Sequence, residues 1–98
     1  GPDLNNVQPN VYVFLNMWPE GTQCRITLAV TDSDGQVDTN TALSTLPAGG
    51  PYTAAQAAAV VCADIEAMPF VTCSQSGATL TLSVSEPDTT LESSIVLV

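Results

Sequence analysis

The chain has no histidine and no lysine, and Arg25 is its only cation against ten acidic residues. Each absence removes a class of chemistry. Without His there is no imidazole base, no commonest metal ligand, and no Ser-His or Cys-His pair. Without Lys there is no Schiff base. Paired carboxylates remain, but glycosidase-type pairs sit in clefts that a 98-residue chain rarely builds. These absences argue against an enzyme, a cofactor or a metal centre. A net charge of −9 repels phosphate backbones and anionic lipid, so neither nucleic acid nor a membrane surface is an expected partner. The plain role of such acidity is solubility.

Long apolar runs are also missing. No stretch approaches the roughly 20 residues of a spanning helix, and no signal peptide is visible. Hydrophobic content is 45%, enough for one folded domain with one core. Gly1-Pro2 reads as the scar of a cleaved purification tag, residues 1–10 as a polar linker, and residues 11–98 as the domain. The cysteines Cys24, Cys62 and Cys73 fit no zinc spacing, and an odd count speaks against a fully paired disulfide framework. They are expected to be reduced thiols acting as small hydrophobes. A Cys62–Cys73 bridge is the one pairing left open, because both residues point inward on adjacent elements.

What is present is alternation. In "VYVFLNM", Val11, Val13, Leu15 and Met17 share one face, and Tyr12, Phe14 and Asn16 the other. "WPEG" then turns. In "CRITLAVTD", Ile26, Leu28 and Val30 oppose Arg25, Thr27, Ala29 and Thr31. "QVDTNTAL" reads as a weaker third strand. Between these two, "TDSDGQVD" has oxygen-rich side chains but lacks the Asp and Glu spacing of a calcium loop. Asp34-Gly35 suits a two-residue type I′ hairpin turn instead.

After the loop "STLPAGGPY", Thr53 and Gln56 form a capping box that opens a helix over 54–68. Ala54, Ala58, Val61, Cys62 and Ile65 lie on one stripe, and Pro69 stops the helix. Alanine on a buried stripe lets a helix lie close against a sheet. "FVTC", "ATLTLSVS" and "SIVLV" are three further strands, the middle one with Ala78, Leu80, Leu82 and Val84 inward, and "EPDTTLES" is loop. The order β-β-β-α-β-β-β predicts an α+β two-layer sandwich, a mainly antiparallel sheet with one Ala-rich helix on one face.

The stretch from "YTAAQAAAVVCADIEAMPF" through "VTCSQSGATLTLSVSEPDT" resembles a module of bacteriophage virion proteins, known from contractile tail sheath proteins and other tail and fibre components. Thr53 matches the capping Thr, and Ala54, Ala55 and Gln56 the first helical turn. Val61 and Ile65 match the large apolar helix positions, while Ala57 is smaller than the usual Ile or Leu. Val71, Cys73, Gly77, Leu80, Leu82 and Ile95 match the strand and turn positions that follow. The likeness covers about residues 24–98; the first strand and the Trp18 turn have no counterpart in it.

The resemblance implies a non-enzymatic structural module, made in a host cytoplasm and located in the virion as a tail, fibre or capsid accessory component. Its partners would be other virion proteins or copies of itself, and alone it would be monomeric. Tyr12, Phe14 and Trp18 are candidate contact residues because aromatics dominate interface hot spots. Equally, Tyr12 and Phe14 would serve to cover the second face of the sheet. Trp18, beside Pro19 in a turn, is expected to be partly exposed. Arg25 is a candidate anchor for an acidic partner, or else a solvated strand residue or one member of an internal ion pair. The alternative is a host-surface or glycan-binding adhesion module, with Trp18 or Tyr52 stacking on a sugar.

Overall fold

A computed structural model describes residues 1–98. The elements in chain order are β1 (Asp3–Gln8), β2 (Val11–Leu15), β3 (Gln23–Thr31), β4 (Val37–Thr45), α1 (Ala54–Glu66), β5 (Val71–Ser76), β6 (Thr79–Val84) and β7 (Thr90–Leu97). All strand pairs are antiparallel. The α+β class and the single helix are as expected from the sequence. The strands, however, form two sheets, a four-stranded one in the order β1-β2-β6-β5 and a three-stranded one in the order β4-β3-β7.

Both sheets and the helix contribute to one core. The four-stranded sheet supplies Tyr12, Phe14, Val71, Leu80 and Leu82, and the three-stranded sheet Cys24, Ile26, Leu28 and Ile95. The helix adds Ala57, Ala58, Val61, Cys62 and Ile65. It packs on β5 above all, and also on β2, β6 and β4. Four of the five buried helix residues lie on the stripe read from the sequence, and Ala57 lies beside it. The small alanines let the helix share the space over β2 and β6 with the second sheet.

The capping box is complete: the Gln56 amide donates to Thr53 Oγ1 at 3.1 Å, and the Thr53 amide donates to Gln56 Oε1 at 2.9 Å. The helix ends at Glu66, two residues before the expected Met68. Pro69 accounts for this, since its ring disfavours helical backbone at the residue before it.

Residues 1–10 contain β1 rather than a linker. Only Leu4 of that strand turns toward the core. Backbone pairing to β2 holds the strand, and the Asn6 amide adds bonds to the Gln8 and Val11 carbonyls at 2.7 and 2.9 Å. A strand held in this way shows no apolar alternation. The last strand also begins earlier than expected, at Thr90 instead of Ser94. Its inward position 93 is polar but satisfied. The Ser93 hydroxyl lies 2.8 Å from the Tyr12 hydroxyl and donates to Asn10 Oδ1 at 2.6 Å, while Asn10 Nδ2 donates to the Leu91 carbonyl at 3.1 Å. This network joins the two sheets, so neither buried hydroxyl is left unpaired.

The β3–β4 hairpin turns as expected but by a different route. The Asp32 amide donates to the Gln36 carbonyl at 2.9 Å and the Gly35 amide to the Asp32 carbonyl at 3.1 Å. Within the turn only Gly35 has positive φ, at 81°. This is a three-residue loop with Gly in the left-handed position, not a two-residue type I′ turn. Asp32 Oδ1 accepts from the Asp34 and Gln36 amides, each at 2.9 Å, so one of the oxygen-rich side chains is committed to the turn itself.

Cys62 and Cys73 form a disulfide, which corrects the expectation of three reduced thiols. Residue 62 is on the buried stripe of α1, residue 73 is on the strand against which that stripe packs, and their Cα atoms are 5.6 Å apart. The odd cysteine is Cys24, buried in the other sheet. Burial pushes its thiol up to about 11.

Candidate functional site

The four residues singled out from the sequence fall into two groups. Trp18 is 0% exposed, which corrects the expectation of a partly exposed turn aromatic. Its amide donates to the Tyr52 carbonyl at 2.9 Å, and its carbonyl accepts from the Tyr52 amide at 2.8 Å. Its indole Nε1 donates to the Leu15 carbonyl at 2.9 Å, and its ring centroid is 5.0 Å from that of Phe14. The cause is a distant segment. The 19–22 turn is bonded to the 46–52 loop through Gly21 to Leu46 at 2.8 Å, Leu46 to Thr22 at 2.9 Å and Gly49 to Glu20 Oε1 at 3.1 Å. Gly50 permits this closure, because a Cβ there would stand 2.9 Å from the Tyr52 ring and 3.0 Å from the Glu20 nitrogen.

Tyr12 and Phe14 are buried as well, and Tyr12 spends its hydroxyl on Ser93. Tyr52 is half-buried, with its hydroxyl donating to the Pro47 carbonyl at 2.7 Å. The aromatic candidates are thus packing residues. The surfaces of Tyr12, Phe14 and Trp18 are not free for a partner.

Arg25 is exposed, on the face of β3 opposite Cys24 and Ile26. In register it stands between Leu43 of β4 and Val96 of β7. Paired residues in an antiparallel sheet share a face, so these three form one row across the sheet. Leu43 is 52% and Val96 47% exposed. Thr27 lies between Thr41 and Ser94 in a second row, and Thr31 between Val37 and Thr90 near the far end. Val37 and Val98 are also exposed. Between the Thr27 and Thr31 rows, Ala29 lies between Thr39 and the exposed Glu92, so the face is apolar toward its ends and polar in the middle, with one carboxylate there and the chain's single cation in the first row.

The sheet also ends in β4, a nine-residue edge strand with continuous register to β3. It has no Pro, no Lys and no bulge, and its one charged residue is Asp38 near the hairpin end. Sequence reasoning found Arg25 but missed Leu43 and Val96. The signal was available for Val96, since Ile95 facing inward requires Val96 to face outward. For Leu43 it was hidden because the inward phase of β4 is Asn40, Ala42 and Ser44, which is not an apolar stripe. Ser44 is buried and donates its hydroxyl to the Asp64 carboxylate of α1.

No group of three or more His, Cys, Asp or Glu side chains is placed to hold a metal ion. No helix is long and apolar enough to cross a membrane. Comparison with protein-family models, with curated proteins and with solved structures finds no match.

Proposed function

We propose that this chain is a non-enzymatic assembly module of a bacteriophage-type virion, acting by protein–protein contact through the outer face of the β4-β3-β7 sheet. The observation that carries the contact surface is the exposed Leu43–Arg25–Val96 row beside a nine-residue edge strand whose only charge is Asp38. Exposed aliphatic residues flanking an arginine give a contact its apolar area and its directional anchor, and a free edge adds backbone pairing by β-augmentation. The virion setting rests on the residue pattern over 24–98 alone. The proposed partners are other virion proteins or further copies of the chain.

The glycan-binding alternative loses support from the burial of Trp18 and the packed position of Tyr52, the two aromatics it would have used for stacking. A contact smaller than the roughly 1,200–2,000 Å² that stable interfaces bury would be weak by itself. Repetition on a particle would supply avidity. The test pairs mass spectrometry of purified particles with the double variant Leu43→Ser and Val96→Ser. Both positions are exposed, so the variant folds with little loss, within about 0.5 kcal/mol per site. The expected result is that the native chain is found in particles and the variant is excluded in competition with it. Absence of the native chain from particles, or equal incorporation of the variant, refutes the proposal.

A further inference from the structure

Where the two sheets part, at the end of β3 away from Arg25, a cleft of about 140 Å³ opens into the mouth of the core. Its apolar lining is Val30 of β3, Val84 of β6 and Phe70 from the turn between α1 and β5. Its polar lining is Asp32, Asp38 and Glu86, all three exposed, with Gln36 and Thr89. Phe70 is 55% exposed and sits at φ 69°, a backbone conformation that bulky residues rarely adopt. An aromatic ring is thus held at the mouth of an acidic cleft instead of joining the adjacent core.

Size, charge and polarity together select the occupant. Pockets for cofactors and drug-sized ligands run to about 300–1,000 Å³, so this cleft suits one side chain. Three acidic residues and no basic one line it, so the complementary group is a cation. The carboxylates do not converge as metal ligands do. An organic cation with an apolar stem fits both parts of the lining: its stem lies along Val30 and Val84 while its head meets Asp38, Glu86 and the ring of Phe70, Asp32 being held in the hairpin turn. Arginine suits this best, because its planar guanidinium stacks on a ring and pairs with carboxylates at the same time.

We infer that the cleft receives an arginine side chain projecting from a basic segment of a partner protein. A second copy of the chain is a poor source, since each copy carries a net charge of −9 and a single arginine. The inference does not depend on the virion reading or on the outer face of the β4-β3-β7 sheet.

The probe is N-acetyl-arginine methylamide, titrated at constant ionic strength into the labelled intact chain and followed by amide chemical shifts, with the citrulline analogue as neutral isostere. Saturable shifts are expected at Val30–Asp38, Phe70 and Val84–Thr89, with binding of the citrulline analogue weaker by about five-fold or more, the scale of one lost cation–π or ion-pair contact. Phe70→Asn, which keeps a residue tolerant of the left-handed backbone, and Asp38→Asn should each weaken binding by a similar factor. Leu43→Ser should leave it unchanged. Shifts spread over all acidic surfaces, equal binding of citrulline, or an unchanged Phe70→Asn variant would overturn the inference. So would concentration-dependent shifts at the same residues without probe that vanish in Arg25→Ala, since the occupant would then be a second copy.

Discussion

Reducing the Cys62–Cys73 bridge should lower stability by an amount set by the loop it closes. The two residues are 11 apart in sequence. Cross-linking a loop of about this length removes unfolded-chain entropy worth about 3 kcal/mol. For a chain of 98 residues that corresponds to a fall in Tm of roughly 10–15 °C. Other contacts at the same place limit the damage. Cys62 stays packed in the core, and Glu66 Oε1 still accepts from the Cys73 amide at 2.5 Å, so α1 remains attached to β5. The reduced protein should therefore still fold at room temperature. Calorimetry with and without reductant measures the shift, and a Cys62→Ala, Cys73→Ala variant should show the lower Tm and no response to reductant. Alkylation of the unfolded, unreduced chain followed by intact mass should find one adduct, at Cys24, of the three cysteines. Three adducts, or a Tm indifferent to reductant, would refute the reasoning.

Ile65→Ala, at a fully buried helix position, should cost about 2–5 kcal/mol in denaturant unfolding. Glu66→Ala removes only the bond to the Cys73 amide and should cost about 1 kcal/mol; equal losses at the two sites would mean that the helix is docked by a different face. Gly35→Val should destabilise by more than about 1 kcal/mol, because φ is 81° there and a β-branched residue resists it. Cys24 should resist maleimide at pH 8 until the chain unfolds. Its folded-state value of about 11 lies above the ordinary 9.0, so burial of the neutral thiol stabilises the fold fully below pH 9, and that contribution disappears as pH rises toward 11. The stability advantage of the native chain over Cys24→Ala should shrink over that window and stay constant below it.

Much of this fold is written locally. The inward residues of β3 and β6, the capping box at Thr53 and the stop at Pro69 are consequences of period, side-chain chemistry and ring sterics within a few residues. What could not be read locally depends on partners far along the chain. Strands β1 and β7 are polar where local reasoning looks for apolar alternation, because backbone pairing holds β1 and the hydroxyls of Tyr12 and Ser93 satisfy each other across the two sheets. The division into two sheets follows from β3 pairing with β4 and β7 rather than with β2. Trp18 looked like a surface anchor because its neighbours are turn residues, and only the return of the 46–52 loop buries it.

The same limit applies to the proposed contact surface. Arg25 was conspicuous as the sole cation, but its flanking residues Leu43 and Val96 come from strands on either side and become neighbours only through register. The sequence pattern puts Phe70 at the start of a strand, whereas the structure places it in the turn before β5, at an acidic cleft.

The outer face of the β4-β3-β7 sheet is proposed as the contact surface in an assembled particle. Hydroxyl-radical footprinting of the chain, free and incorporated, measures this side chain by side chain. Leu43 and Val96 should be oxidised in the free chain and protected in the particle, while Trp18 should stay unreactive in both. Equal oxidation of Leu43 and Val96 in the two states, with protection appearing elsewhere, would contradict the account.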